Sequence, residues 1–358
     1  MKVYILSDME GTAGVTTWEQ VTAGTEAYEE ARLWLTAEVN AAAAGAFDAG
    51  ADFVLVNDGH GDQKNLLPDE LDPRIEVVQG KGKSMWEGLD GTFGAFFQIG
   101  AHSRAGTPEG NLRHVWSADD WIEVRLDGEA MGEIALFALG AAQRGAACVL
   151  VTGDDKACAE AAACRSGVVT GQVKTGLGVQ EARTLTPGAA CRKIRQHART
   201  ACRQAASVKP IEVTGQTHTV EILRLASPQG ECFAATLERD QLDQLPRTSQ
   251  TATSRTIVGA FELALKAPPQ PVKMPDPVPV VEPAPVEIPA PAAVVESPPV
   301  ATPAPVVEPV PVETPGSSGL VEPAAAPLFP PPEGESPVPS APAPLDPLDV
   351  PALDGNGQ

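Results

Sequence analysis

At 358 residues with a formal charge of −21, the chain is long enough for a sizeable buried interior and too acidic to attract a phosphate backbone or an anionic membrane. Its six cysteines (Cys148, Cys158, Cys164, Cys191, Cys202 and Cys232) form no Cys-x-x-Cys pair, which argues against a Cys-rich zinc site or a disulfide framework and fits reduced thiols. The opening MKVYILSD has too short an apolar run for a signal peptide, and no segment reaches about 18 uninterrupted apolar residues, so a soluble cytoplasmic protein is expected.

Val3 to Leu6 predicts a first strand, followed by a turn with Gly11 and Gly14. Tyr28 to Ala49 reads as a long Ala-rich helix closed by Gly50. Phe53 to Val56 is a second apolar strand ending at Asn57-Asp58-Gly59-His60, Ile75 to Val78 a third, and Phe96 to Ile99 a fourth ending at Gly100-Ala101-His102. Trp121 to Leu126 alternates apolar and charged residues before an Asp127-Gly128 turn. A helix follows from about Met131 to Gln143, then a strand from Cys148 to Val151 ending at Thr152-Gly153-Asp154-Asp155. Residues 157–206 read as Ala-rich helix broken by a strand near Val168 to Val173, Ile211 to Leu225 and Phe233 to Leu237 as strands, and Ile257 to Ala267 as a closing helix.

Short strands, apolar on both faces and alternating with helices, predict an α/β fold: a mixed, mostly parallel sheet covered by helices, with a second, smaller α+β unit. The expected division is a metal-binding α/β catalytic domain over 1–156, a smaller α+β unit over 157–267 suited to packing or oligomerisation, and a tail over 268–358. The tail is built from Pro-Val-Pro, Glu-Pro and Ala-Pro units, with acids from Asp276 to Asp354 against the single Lys273. Proline removes backbone donors and the composition offers little apolar bulk, so an extended, disordered segment without catalytic residues is expected.

Three strands end in potential metal ligands: Asp8 and Glu10 after the first, His60 after the second, His102 after the fourth. In open α/β sheets the ligand crevice lies at the carboxyl ends of the strands, where residues distant in sequence converge. Asp8 and Glu10 are two apart, so extended backbone aims both the same way. Two imidazoles with two carboxylates suit zinc or manganese. Glu133, in the first turn of a helix, is a further acid; five ligands exceed what one catalytic zinc uses and fit two metals sharing a carboxylate. Each residue alone has a blander role: Asp8 as a helix cap, His60 or His102 as hydrogen-bonding structural residues, Glu133 as a first-turn carboxylate. Asp154 and Asp155 read as caps or supports, and His197 and His218 as surface or structural residues.

The segments Asp8-Met9-Glu10-Gly11, Tyr28 with Arg32, Thr36-Ala37-Glu38-Val39-Asn40, Val56-Asn57-Asp58-Gly59-His60-Gly61, Asn65-Leu66, Gly100-Ala101-His102, Gly132-Glu133 and Gly153-Asp154-Asp155 occur in this order. Together they resemble the zinc-dependent D-aminopeptidases of bacterial dipeptide-transport operons, over Met1 to about Ala267. That resemblance implies two zinc ions per chain, hydrolysis of short peptides with an N-terminal D-residue of D-Ala type, and a ring-shaped homodecamer whose active sites face an inner channel. Carried onto this sequence, it makes Asp8, Glu10, His60, His102 and Glu133 the zinc ligands and His114 the catalytic nucleophile or acid–base group. Three departures bear on substrate preference and turnover: a Thr107–His114 loop one residue longer, Val115 in place of a small hydroxyl residue, and Phe137 where asparagine is common. Two other readings stand beside it. A dinuclear metal phosphoesterase is disfavoured because no Arg cluster or Gly-rich phosphate cradle follows the first strand; the other is a non-enzymatic assembly scaffold with a Pro-rich docking tail.

Overall fold

A computed structural model describes residues 1–164 and 166–272. The tail expectation therefore falls almost wholly outside the described residues. Among the described residues twelve strands are formed: β1 (Lys2–Ser7), β2 (Phe53–Asp58), β3 (Ile75–Val78), β4 (Phe93–Ala101), β5 (Trp121–Leu126), β6 (Glu129–Met131), β7 (Cys148–Asp154), β8 (Val169–Gly178), β9 (Glu181–Thr184), β10 (His218–Leu225), β11 (Arg247–Ser254) and β12 (Gln270–Pro271). They make two sheets. The first runs β3-β2-β1-β4-β7-β8-β9, parallel except for the antiparallel edge strand β9. The second, β12-β11-β10-β5-β6, is antiparallel throughout. The expected mixed, mostly parallel sheet with a second unit is what the chain forms.

Helix α1 (Glu26–Asp48) links β1 to β2; its N-cap Thr25 accepts a hydrogen bond from the Tyr28 amide at 3.0 Å. Leu35, Val39, Ala42, Ala43 and Ala46 form its buried stripe, packed against helix α4 (Pro187–Gln204) and one face of the first sheet. The alternation along β1 explains why its whole run is apolar. Val3 and Ile5 enter the core under α1, whereas Tyr4 and Leu6 enter the core shared with helix α2 (Glu133–Ala142) and the second sheet. Helix α3 (Asp155–Cys164) follows β7.

The chain crosses residue 156 in both directions. Strands β8 and β9 complete the first sheet, while β5 and β6 belong to the second. Two local expectations change, and one strand was not foreseen. The apolar run Phe233–Leu237 is not a strand: Phe233–Thr236 forms a short helix, α5, whose Ala234 and Ala235 amides donate to the carbonyls of Asp119 and Ala118, both at 3.0 Å. A short apolar run serves either geometry, and tertiary contacts choose. The strand expected from Ile211 begins only at His218. Strand β11, Arg-Thr-Ser-Gln-Thr-Ala-Thr-Ser, shows no apolar alternation and gains its form from eight-residue antiparallel pairing with β10. A further short helix, α6 (Arg239–Gln244), and the closing α7 (Ile257–Ala264) complete the described fold.

Strand order reverses at β1. From β1 the chain moves outward through β2 to β3, then returns to place β4 on the other side of β1. This is the switch point at which open α/β sheets form a crevice beyond their carboxyl ends, and Asp8, His60 and His102 follow β1, β2 and β4 there.

Candidate metal centre

The backbone at the switch point is drawn unusually close. The Asp8 amide donates to Ile99 at 2.8 Å, the Gly11 amide to Gly100 at 2.7 Å, and the Gly59 amide to Ser7 at 2.9 Å. A Cβ at Gly11 would collide with the Ala101 carbonyl, and one at Gly100 (φ +77°) with the Asp8 carbonyl. Glycine is required at both positions for the strand ends to meet.

The side chains then converge. Ligand atoms of Asp8, Glu10 and His60 lie within 4.8 Å of one another, as do those of His102, His114 and Glu133. Asp8 joins the two groups: Oδ1 is 3.2 Å from His60 Nδ1, and Oδ2 is 3.4 Å from His102 Nε2. Glu10 Oε2 is 3.1 Å from His60 Nδ1, and Glu133 Oε1 is 3.4 Å from His102 Nε2. All six residues singled out in the sequence are therefore brought to one place.

Each imidazole is fixed by a backbone carbonyl on its other nitrogen. His60 Nε2–H donates to Val21 at 2.8 Å, His102 Nδ1–H to Ser103 at 3.0 Å, and His114 Nδ1–H to Leu112 at 2.9 Å. Such anchoring selects the tautomer and aims the remaining nitrogen, the arrangement metal-ligating histidines adopt. The His102 and His114 rings stack, with centroids 3.9 Å apart and planes at 13°.

Supports lie one layer out. Asp58 accepts from the amides of Asn65 and Leu66 at 2.6 and 2.9 Å, and Asn65 Nδ2 donates to the His60 carbonyl at 2.7 Å, closing the His60 turn. Glu133 sits at the start of α2 and accepts from the Trp116 amide at 2.6 Å. Asp154 accepts from the amides of Ala157 (2.7 Å) and Asn111 (3.0 Å), capping α3 and holding the loop that carries His114. Buried Lys174, from β8, donates to the carbonyls of Glu10 and Val15. Sequence reasoning did not find Asn111, Arg113 or Lys174; a lysine within a strand or an arginine within a loop carries no sign of burial.

The charges are crowded. Burial and the Glu10 charge push Asp8 up to about 7. Burial would raise Glu10 and Glu133 too, but the charges of His60 and His102 outweigh it and hold both below the usual carboxylate range. Burial opposes charge on His60 and His102, yet Glu10 raises the first and Glu133 the second, His102 to about 10. His114 goes the other way: burial and the adjacent His102 charge lower it to about 4. Protons on two imidazoles thus balance acids that a divalent cation would balance directly, and the oxygen-and-imidazole donor set fits zinc.

The cluster forms the floor of a cavity of about 600 Å³, whose walls include Trp18, Met85, Trp116 and Phe261. The floor is built of carboxylates and imidazoles, and the walls mix these apolar side chains with Lys83, Glu262 and Lys266, which suits a small polar ligand.

Three comparisons with known proteins show the family. The family model for D-aminopeptidase, peptidase family M55, matches residues 1–262. A D-aminopeptidase of Bacillus subtilis (strain 168) is 34% identical over 215 residues, which cover 59% of this chain and 77% of that protein. A solved structure described as "Zn-dependent D-aminopeptidase DppA from Bacillus subtilis, a self-compartmentalizing protease" superposes with a TM-score of 0.65 at 27% identity, covering 74% of this chain and 96% of that one. With a family match over most of its length and a relative sharing a third of the aligned residues, the chain belongs to the M55 D-aminopeptidase family and is a peptide hydrolase.

Proposed function

We propose that the chain is a zinc-dependent aminopeptidase that removes an N-terminal D-residue, of D-Ala type, from short peptides. Asp8, Glu10, His60, His102 and Glu133 would hold two zinc ions, with Asp8 shared between them. The observation that carries this reading is the Asp8 carboxylate, whose two oxygens face different histidines. Zinc bound there would supply Lewis acidity, making a nucleophile from water at neutral pH and polarising the scissile carbonyl.

The protein's own groups perform the rest. His114 stays neutral near physiological pH and keeps Nδ1–H on the Leu112 carbonyl. Its Nε2 is then suited to accept a proton and return it to the departing amine. Trp18, Trp116 and Phe261 shield the bound residue from bulk water. The D-preference rests on the relatives, both D-aminopeptidases. One of them is described as self-compartmentalizing; by extension we propose a homo-oligomeric ring, a decamer by the resemblance, working in the cytoplasm. All five ligands and His114 lie within 1–156, the segment proposed for catalysis, leaving 157–267 for support and assembly. Among the described residues no helix is long and apolar enough to cross a membrane.

Metal analysis with a panel of D- and L-peptides and phosphate esters tests the proposal. About two zinc ions per chain are expected, with chelation abolishing hydrolysis of D-Ala peptides. Undiminished hydrolysis after complete metal removal and in His60→Ala, or a preference for phosphate esters, would overturn it.

A further inference from the structure

We propose that Arg113 is a positioning residue for His114, clamping the loop that carries it to the segment 235–238 by way of Glu238. The proposal rests on His114 acting as the proton-transfer group.

The Arg113 side chain is 1% exposed. It spends its guanidinium on two pieces of backbone and one acid. Nη1 donates to the Thr107 carbonyl at 2.5 Å and to Glu238 Oε2 at 3.1 Å. Nη2 donates to Glu238 Oε1 at 2.6 Å and to the Leu237 carbonyl at 3.1 Å, and Nε to the Ala235 carbonyl at 3.4 Å. One residue thereby fastens both ends of the loop Thr107–Arg113 to the end of α5 and the residues just after it. An ion pair whose acid is half-exposed contributes little stability, because solvent screens the attraction while burying the guanidinium costs desolvation. Its planar, forked donors do fix geometry.

That geometry bears on His114. The flanking residues Leu112 (φ 50°) and Trp116 (φ 59°) hold left-handed backbone that side-chain-bearing residues rarely adopt. Such backbone persists only where its surroundings over-determine it. On the side of the first sheet, the Leu112 amide donates to the Val179 carbonyl at 2.7 Å, and Asn111 Nδ2 to the same carbonyl at 3.0 Å. Arg113 supplies the opposing hold. The Leu112 carbonyl that receives the His114 ring precedes Arg113 directly, so a shift of residue 113 moves both the ring's anchor and the ring. Arg113 hydrogen-bonds none of the proposed zinc ligands; the loop it holds reaches Glu133 only through the Trp116 amide and His102 only through the stacked His114 ring, so loosening it displaces the proton carrier more than the metal site.

The test measures zinc content, kcat and KM on a D-Ala peptide for Arg113→Met, Glu238→Gln, His114→Ala and the double variant Glu238→Gln/His114→Ala. Arg113→Met is expected to keep its zinc and a KM within about twofold while kcat falls roughly 10- to 100-fold, the effect of misplacing a reacting group by a fraction of an ångström to an ångström. Glu238 is half-exposed, so Glu238→Gln is expected to fold even if Arg113→Met does not, and to lower kcat at unchanged zinc. Because the clamp acts through His114, Glu238→Gln should lower kcat no further once His114→Ala is present, whereas a general loss of structure would add. Unchanged kcat in Glu238→Gln, or a fall matched by zinc loss or repeated in the His114→Ala background, overturns the clamp alone. Full turnover in His114→Ala overturns the underlying role of His114, and the clamp with it.

Discussion

Asp8 faces His60 with one oxygen and His102 with the other, while Glu10 and Glu133 each serve one side. That division of labour predicts unequal consequences. Glu133→Ala should lose one zinc of two and reduce kcat/KM by more than the roughly 100-fold that follows loss of a supporting partner; a full zinc count in that variant would show the assignment to be wrong. The electrostatics predict proton release on metal uptake. His102 is raised to about 10, so it carries a proton near pH 7 that must leave before it ligates zinc, and His60 is shifted in the same direction by Glu10. As pH falls through about 7, Asp8 also takes up a proton, and zinc affinity should weaken further. Zinc titration calorimetry in buffers of different ionisation enthalpy should report net release at pH 7; no release would contradict the picture.

At the scale of elements, the site depends on how tightly the ends of β1, β2 and β4 are drawn together. Gly100 combines φ +77° with a Cβ position occupied by the Asp8 carbonyl. Gly100→Ala should therefore cost at least about 2 kcal/mol through strain and displacement, and should lower zinc retention because Asp8 and His102 shift together. Thermal denaturation with and without zinc would measure both, and an unaltered melting temperature would refute the close-approach argument. The strand ends were legible because Asp, His and Gly interrupt apolar runs at Asp8, Asp58-Gly59-His60 and Gly100-Ala101-His102. Strand β11 and the short helix at Phe233–Thr236 were not, since their form is set by pairing with β10 and by the carbonyls of Ala118 and Asp119.

Across the whole molecule, the two sheets draw on both halves of the chain. Strand β8 brings Lys174 beneath the Glu10 loop, and the stretch after α5 brings Glu238 to Arg113. The cluster in the first 133 positions is therefore packed against side chains more than 100 residues later. Cutting the chain at 156 should abolish activity. Removing residues 273–358, which lie beyond the family match at 1–262, should leave kcat and KM within about twofold. Assaying the two truncations side by side distinguishes these outcomes, and loss of activity in the longer one would assign a role to the tail.

The sequence by itself pointed to the α/β class and to Asp8, Glu10, His60 and His102 as strand-end residues that would meet, because buried strands must be apolar and a run broken by Asp, Glu or His at its carboxyl end stands out; His114 came only with the family resemblance. Tertiary structure alone decided that Asp8 faces both His60 and His102, that His114 stacks on His102, and that Lys174 and Arg113 are buried beside the cluster. Those facts are distances between residues remote in the chain, and they depend on strand order and loop path, which local composition does not encode.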